Sequence, residues 1–105
     1  MKKSLAVFVV LLACSPTSLA SSRSQRERGA AIFAESGCTH CHTIRNNGGH
    51  KGPDLSGVGR RLKKAQMKNQ IVNGSKLMPP FGDDLQAADI DALLAYLKTC
   101  RDKKE

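Results

Sequence analysis

Tryptophan is absent from this chain of 105 residues, and only one tyrosine and three phenylalanines are present. Beyond residue 20 the aromatic side chains are Phe33, Phe81 and Tyr96. A domain of this size is marginally stable on apolar burial alone and commonly needs a metal or a covalent crosslink. The shortage of bulky core residues therefore favours a fold whose core is completed by something other than side chains.

Long apolar runs are also missing, apart from residues 5–13. This run follows the basic start Met1-Lys2-Lys3 and precedes the small residues of Ser18-Leu19-Ala20. That combination is typical of a secretory signal. It predicts a signal peptide at residues 1–20, a single domain at residues 21–105, and export to the periplasm. Because a bilayer span takes about 20 apolar residues in a helix, no transmembrane helix is expected.

The signal can also be read as that of a lipoprotein. Leu11-Leu12-Ala13-Cys14 resembles the recognition sequence in which the cysteine is lipidated and becomes the new N-terminus. Leu12 is an indifferent fit at its position, whereas Pro16 and Ala20 suit ordinary cleavage. Cleavage after Ala20 is the preferred interpretation, and a lipid anchor at Cys14, which would hold the protein at the membrane surface, is the alternative.

Acidic residues are scarce: nine Asp and Glu face 17 Lys and Arg, which gives a formal net charge of +8. The excess is concentrated in residues 41–76, here called the basic segment. In this segment Asp54 is the only acidic residue, and eight residues are basic: Arg45, Lys51, Arg60, Arg61, Lys63, Lys64, Lys68 and Lys76. Such a surface raises the rate of encounter with an acidic partner by about 10-fold or more. A solvated helix face around Lys63 and Lys64 is the alternative interpretation.

Cysteine is rare but occurs in an informative pattern. Cys38-Thr39-His40-Cys41-His42 is the Cys-x-x-Cys-His sequence that attaches a c-type haem. Two thiols three residues apart on a turn can reach the two vinyl groups of one porphyrin and form thioethers, and the imidazole of His42 can then bind the iron. The motif predicts one haem c, bound covalently through Cys38 and Cys41, with His42 as an iron ligand.

Three other sites are compatible with a Cys-x-x-Cys pair. A dithiol redox motif usually lies in a βαβ unit, and no such pattern is visible in the sequence. A zinc site completed by His50 and Cys100 would lack the second close pair of ligands that closed zinc sites have. A disulfide between Cys38 and Cys41 is the third. Haem attachment is preferred because His42 follows the second cysteine directly.

Cys100 has no partner once the motif is assigned. A lone thiol in an exported protein can pair between molecules. It also continues the apolar stripe of Ile90, Leu93 and Leu97. A small buried hydrophobic residue is therefore the preferred interpretation of Cys100.

The helical spacing of apolar residues predicts three helices, at residues 24–36, 60–73 and 86–100. Gly37 and Gly74 are the stop signals that follow the first two. Pro79-Pro80 excludes a helix where it stands. Gln86 is a poor N-cap for the last helix, because Ser, Thr, Asp or Asn is usual there. No stretch alternates between apolar and polar residues, so no sheet is expected.

The order of five short motifs over residues 29–98 resembles that of the small monohaem class I cytochromes c of bacteria: Gly29-x-x-x-Phe33, Cys38-x-x-Cys41-His42, Gly52-Pro53-Asp54-Leu55, Met78-Pro79 and Leu93-x-x-Tyr96-Leu97. The resemblance implies an all-α class I cytochrome c fold, with three to four helices wrapped around one covalently attached haem. The N- and C-terminal helices would cross near a right angle. Gly29 would allow their close approach, and Phe33, Leu93 and Tyr96 would fill the crossing.

The resemblance also assigns the remaining site residues. Met78 would be the sixth iron ligand, and the Pro53 carbonyl would accept a hydrogen bond that orients the His42 ring. A soft, uncharged thioether followed by the rigid Pro79-Pro80 suits this role.

Other side chains compete with Met78 for the iron. Met67 lies mid-helix with Ile71 four residues on, so it is expected to be a wall residue. His50 lies in a glycine-rich loop and would either reach the iron or be exposed. His40, between the two cysteines, is expected to face solvent.

The resemblance implies a one-electron carrier, not an enzyme, that shuttles electrons between redox partners outside the cytoplasm. His/Met ligation saturates the iron and raises its potential, as electron transfer requires. We expect a monomer with acidic redox protein partners, and no binding to nucleic acid by an exported haem protein. The alternatives are a haem enzyme or a gas or peroxide sensor with a displaceable sixth ligand, and a dedicated electron-transfer subunit of a larger redox complex.

Overall fold

The computed structural model describes residues 17–103. Most of the predicted signal, with Cys14, lies outside the described residues, as do residues 104 and 105. The described chain forms four helices, a two-stranded sheet and a short 3₁₀ turn: α1 (Thr17–Glu35), the turn (Cys38–His40), β1 (Thr43–Ile44), β2 (Asn47–Gly48), α2 (Val58–Arg61), α3 (Lys64–Asn73) and α4 (Ala87–Lys98). The predicted helical class is confirmed. None of these helices has the length and apolarity of a membrane span.

Helix α1 begins at Thr17 rather than at the predicted residue 24. The sequence contains no glycine or proline between Thr17 and Arg28, so nothing interrupts a helix there. The predicted cleavage point after Ala20 falls one turn into this helix.

The contact between α1 and α4 is the main packing interaction of the fold. It depends on Gly29, where a Cβ atom would lie only 2.0 Å from the Ala92 carbonyl oxygen and 2.7 Å from Tyr96 Cβ. Next to it the rings of Phe33 and Tyr96 pack with centroids 5.9 Å apart, and Leu93 is buried. The expected close approach at Gly29 and the filling of the contact by these three side chains are therefore present.

The predicted helix at residues 60–73 is two helices, α2 and α3, separated by Leu62 and Lys63 in extended conformation. Leu62 and Met67 are five residues apart and therefore do not share one helix face. A break lets both side chains turn towards the core, Leu62 half-buried and Met67 buried. The new helix is capped, because the Lys63 N–H donates to Gln66 Oε1 at 2.8 Å.

The expectation of no sheet was wrong. Thr43 pairs with Gly48 and Ile44 with Asn47 in an antiparallel hairpin. Arg45 and Asn46 form its two-residue turn with φ values of 49° and 66°, the left-handed conformation of a type I′ turn. Two-residue strands are too short for an alternating pattern to reveal them in a sequence.

Helix α4 begins at Ala87 and ends at Lys98, two residues short of the prediction. Gln86 is the N-cap residue, and its N–H donates to Asp89 Oδ2 at 3.3 Å. Gln86 and Asp89 thereby form a capping box at the start of the helix, although Gln86 is an unusual N-cap residue. Cys100 lies beyond the helix but is fully buried in the core, as its place in the apolar stripe predicted. Burial raises the pKa of its thiol.

Candidate functional site

The Cys-x-x-Cys-His motif forms one tight turn directly after α1. The backbone N–H of Cys41 donates to the Cys38 carbonyl at 3.2 Å, and that of His42 donates to the same oxygen at 2.9 Å. Cys38, Cys41 and His42 are all half-buried. The turn therefore carries two thiols and an imidazole at the surface of the core.

Hydrogen bonds from the following loop hold this turn in place. The Gly49 N–H donates to the Thr39 carbonyl at 2.8 Å, and the Gly52 N–H donates to the Cys41 carbonyl at 2.7 Å. Thr43 is 3 % exposed, and its hydroxyl donates to the Gly49 carbonyl at 2.6 Å. These bonds leave the motif turn little freedom to move relative to the hairpin.

His42 is oriented by Pro53. Its Nδ1 atom lies 2.8 Å from the Pro53 carbonyl oxygen. A carbonyl can only accept, so Nδ1 carries a proton, and in the neutral ring Nε2 then keeps the lone pair. This is the tautomer that binds a metal through Nε2 while a backbone acceptor fixes the ring.

Gly52 provides the room for this ring. A Cβ atom at Gly52 would lie 2.7 Å from His42 Cε1 and 2.9 Å from His42 Nδ1. Any larger residue would displace the imidazole. Asp54 shapes the same loop, because its carboxylate accepts from the Ser56 N–H at 2.8 Å and the Ser56 hydroxyl at 2.6 Å. These bonds hold the pKa of Asp54 below its usual value.

Met78 lies in a separate loop after α3. The Ser75 N–H donates to the Met78 carbonyl at 2.8 Å. Further along, the Phe81 N–H donates to the Ile71 carbonyl at 2.9 Å, so the loop returns to the last turns of α3. The Met78 side chain is half-buried and packs against the core.

The residues present fit a haem c. A set of half-buried apolar side chains packs against the buried core: Cys38, Leu55, Leu62, Val72, Met78, Phe81, Leu85 and Tyr96. The set includes a thiol of the motif and the thioether of Met78. With the free Nε2 of His42, the donors are an imidazole and a thioether, which is the ligand pair of cytochromes c. The absence of a side chain at Gly52, which gives the His42 ring its room, also fits this assignment.

The other interpretations of the cysteine pair find no support among the described residues. Cys100 is enclosed in the core, and within residues 17–103 no three His, Cys, Asp or Glu side chains cluster as metal ligands would. Cys38 and Cys41 are free thiols. Burial raises the pKa of Cys38, whereas the nucleophilic thiol of a dithiol enzyme has a lowered pKa.

The other side chains considered as iron ligands lie in the core or at the surface. Met67 is 3 % exposed and belongs to the core together with Ile71. His40 and His50 are exposed, and the nearest contact of the His50 ring is Nδ1 at 3.4 Å from Thr43 Oγ1.

Two residues of the site were missed by sequence reasoning. Thr43 anchors the loop behind the motif, and the Gln70 amide nitrogen lies 3.6 Å from the Met78 sulfur. Helical spacing places Gln70 on the exposed side of α3, and no local pattern pairs it with Met78. Only the packing of the loop on the helix reveals the contact.

All eight basic side chains of the basic segment are exposed. Arg45 is partly neutralised, because its guanidinium pairs with Asp102 at 3.1 Å. Arg60, Lys63, Lys64 and Lys68 lie on or beside the short helices α2 and α3. This part of the surface therefore carries a dense positive charge.

Comparison with known proteins gives three matches. Residues 24–97 match the family described as cytochrome c oxidase, cbb3-type, subunit III. Cytochrome c-555 of Methylococcus capsulatus (strain Bath) is 32 % identical over 71 residues, which is 67 % of this chain and 58 % of that relative. The crystal structure of the c-type cytochrome SorU from Sinorhizobium meliloti superposes with a TM-score of 0.63 at 25 % identity, covering 75 % of this chain and 93 % of the other.

Proposed function

Since this chain belongs to the small class I cytochromes c, we propose that it carries single electrons outside the cytoplasm through one haem c. Cys38 and Cys41 would hold the haem as thioethers, and His42 and Met78 would be its axial ligands. A haem c supplies one iron that alternates between the ferric and ferrous states. Residues 1–20 would direct export, with a lipid anchor at Cys14 as the alternative to cleavage after Ala20.

The orientation of His42 carries this proposal. Its Nδ1–H donates to the Pro53 carbonyl at 2.8 Å, so the ring presents Nε2 and has a fixed direction. A ligand held in this way needs no rearrangement when the charge on the iron changes. Met78 would add a neutral, soft donor that favours the ferrous state. Both features suit electron transfer and disfavour binding of an external substrate.

Visible spectroscopy of the purified ferric and ferrous protein is the direct test. We expect a low-spin haem that remains with the polypeptide through acid–acetone extraction and denaturing electrophoresis, because thioether bonds survive both. The ferrous protein should bind carbon monoxide poorly. Haem that extracts freely would contradict covalent attachment. Rapid carbon monoxide binding would favour an enzyme or a sensor instead of a carrier.

A second candidate is a dedicated electron-transfer subunit of a larger redox complex. The description of the matching family, as a subunit of an oxidase, favours it. The site chemistry would be the same as in a free carrier. Co-purification of the native protein with other redox subunits under mild extraction would support this candidate.

The basic segment is the proposed docking surface for an acidic redox protein. Its side chains are exposed, and basic residues outnumber acidic ones there by eight to one. Salt screens the electrostatic attraction between this surface and an acidic partner, because the Debye length falls from about 30 Å at 0.01 M to about 10 Å at 0.1 M. Electron-transfer contacts are small and transient, so the effect should appear in the association rate.

Reversing Lys63 and Lys64 to Glu should slow electron transfer to a small acidic redox protein by about 10-fold at low salt. It should also flatten the salt dependence and leave the haem spectrum unchanged. Both residues are at the start of α3, where a carboxylate is favourable for the helix dipole, so the fold should tolerate the change. Stopped-flow kinetics over a range of salt concentrations measure the effect.

The matched control reverses Arg26 and Lys103, which are exposed and lie outside the basic segment. This pair changes the net charge by the same amount and should slow the reaction much less. Equal effects from the two pairs would show that only net charge matters, and the docking surface would be rejected.

A further inference from the structure

Gln70 contacts the side chain that we propose as the sixth iron ligand. It lies in the last turn of α3, and its amide Nε2 is 3.6 Å from Met78 Sδ, within the range of a hydrogen bond to sulfur. An amide N–H is a donor, and a thioether sulfur is a weak acceptor. Among the described residues, Met78 Sδ is the side-chain acceptor that the Gln70 amide reaches.

The backbone around the contact keeps the two residues together. The Gly74 N–H donates to the Gln70 carbonyl at 2.8 Å and closes the helix. The chain then reverses, and the N–H groups of Phe81 and Gly82 donate to the carbonyls of Ile71 and Val72 at 2.9 and 3.2 Å. The Met78 loop is therefore tied to the same helical turn that carries Gln70. This backbone geometry keeps the two side chains within reach of each other.

We propose that Gln70 is a positioning residue for Met78, and that its hydrogen bond to the sulfur raises the reduction potential of the haem. The inference rests on the proposed function, because it requires Met78 to bind the iron. A thioether sulfur has two lone pairs, so it can bind iron with one and accept from Gln70 with the other. The hydrogen bond also restricts rotation of the Met78 side chain and so selects one direction for the iron-binding lone pair.

The direction of the change in reduction potential follows from how strongly the sulfur donates electrons to the iron. A hydrogen bond withdraws electron density from the sulfur and makes it a weaker donor to iron. Ferric iron depends more on donation than ferrous iron does, so the ferric state loses more stability. The contact is exposed to solvent, and a bond to a neutral sulfur is weak, so the effect is modest.

Replacing Gln70 by Leu should shift the ferrous-to-ferric ratio at a given potential by about twofold to fivefold towards ferric. At 59 mV per tenfold change, this lowers the reduction potential by about 20 to 40 mV. Gln70→Ala should give the same result, since it also removes the donor and suits a helix. Potentiometric titration of the full-length, haem-loaded protein measures the shift. The weak long-wavelength band of ferric Met–haem ligation should remain but change in position or intensity.

Gln66→Leu is the matched control. Gln66 is also an exposed glutamine of α3, one turn earlier, and its Oε1 caps the helix at Lys63 instead of contacting Met78. This variant should lose stability to denaturant and keep the wild-type potential. Unchanged potentials in both Gln70 variants, or an equal fall in Gln66→Leu, would overturn the inference. Absence of the Met–haem band from the wild type would reject Met78 as ligand and therefore both proposals.

Discussion

Replacing Cys38 and Cys41 together by Ala is expected to have the largest effect of any change in this chain. The haem would no longer be attached, and the half-buried apolar side chains that pack against the core would lose the cover that the haem is proposed to provide. A small domain with so few aromatic side chains has little other apolar area to bury. The free energy of unfolding is about 5–15 kcal/mol for a typical domain, and most of it should be lost in this variant. Circular dichroism and denaturant unfolding of the purified variant measure this loss.

The third cysteine of the described chain supplies the control. Cys100 is fully buried and lies outside the motif, so Cys100→Ala should cost only a small cavity, about 1 kcal/mol. This variant should keep covalent haem. A double Cys38/Cys41 variant that stays folded and loads haem normally would contradict both covalent attachment and the proposed role of haem in the core.

The second large effect is expected for Met78→Ala. Loss of the thioether should abolish the Met–haem band of the ferric protein and open the sixth position to carbon monoxide in the ferrous protein. The reduction potential should fall by about 0.1 V or more, within the about 0.8 V range over which axial ligands set it. Absorption spectra and potentiometric titration of the variant and the wild type measure both changes.

Met67→Ala is the control for this prediction. Met67 is 3 % exposed in the core, so its truncation should cost about 2–5 kcal/mol of stability. The Met–haem band should nevertheless survive, because Met67 belongs to the apolar core with Ile71 and Met78 is the proposed ligand. If the band were lost in Met67→Ala and kept in Met78→Ala, the ligand assignment would be wrong.

Local signals in the sequence were sufficient for the haem motif and for most helices. Cys38, Cys41 and His42 fall within five residues, so their proximity follows from chain geometry alone. The end of α3 is marked by Gly74, and α4 by its apolar spacing. Gly29 could be placed at a helix contact only through the resemblance, and the structure shows the reason, an approach that a Cβ atom would prevent.

Structural features that depend on contacts between distant segments could not be predicted from local sequence signals. The break at Leu62 and Lys63 depends on how α3 turns Met67 into the core, and the hairpin at Thr43–Gly48 is too short to leave a pattern. Arg45 and Asp102 are 57 residues apart along the chain, and their contact requires the hairpin turn and the segment after α4 to be placed next to each other.

The sequence by itself therefore predicted the group that the chain binds, because the residues proposed to attach it are neighbours and their chemistry is specific. The tertiary structure decided how the proposed ligands are held. The hydrogen bond from His42 to Pro53 spans 11 residues, and the contact of Gln70 with Met78 spans eight. Each depends on a loop folding back against the element before it, and that path is set by packing and backbone hydrogen bonds rather than by local preference.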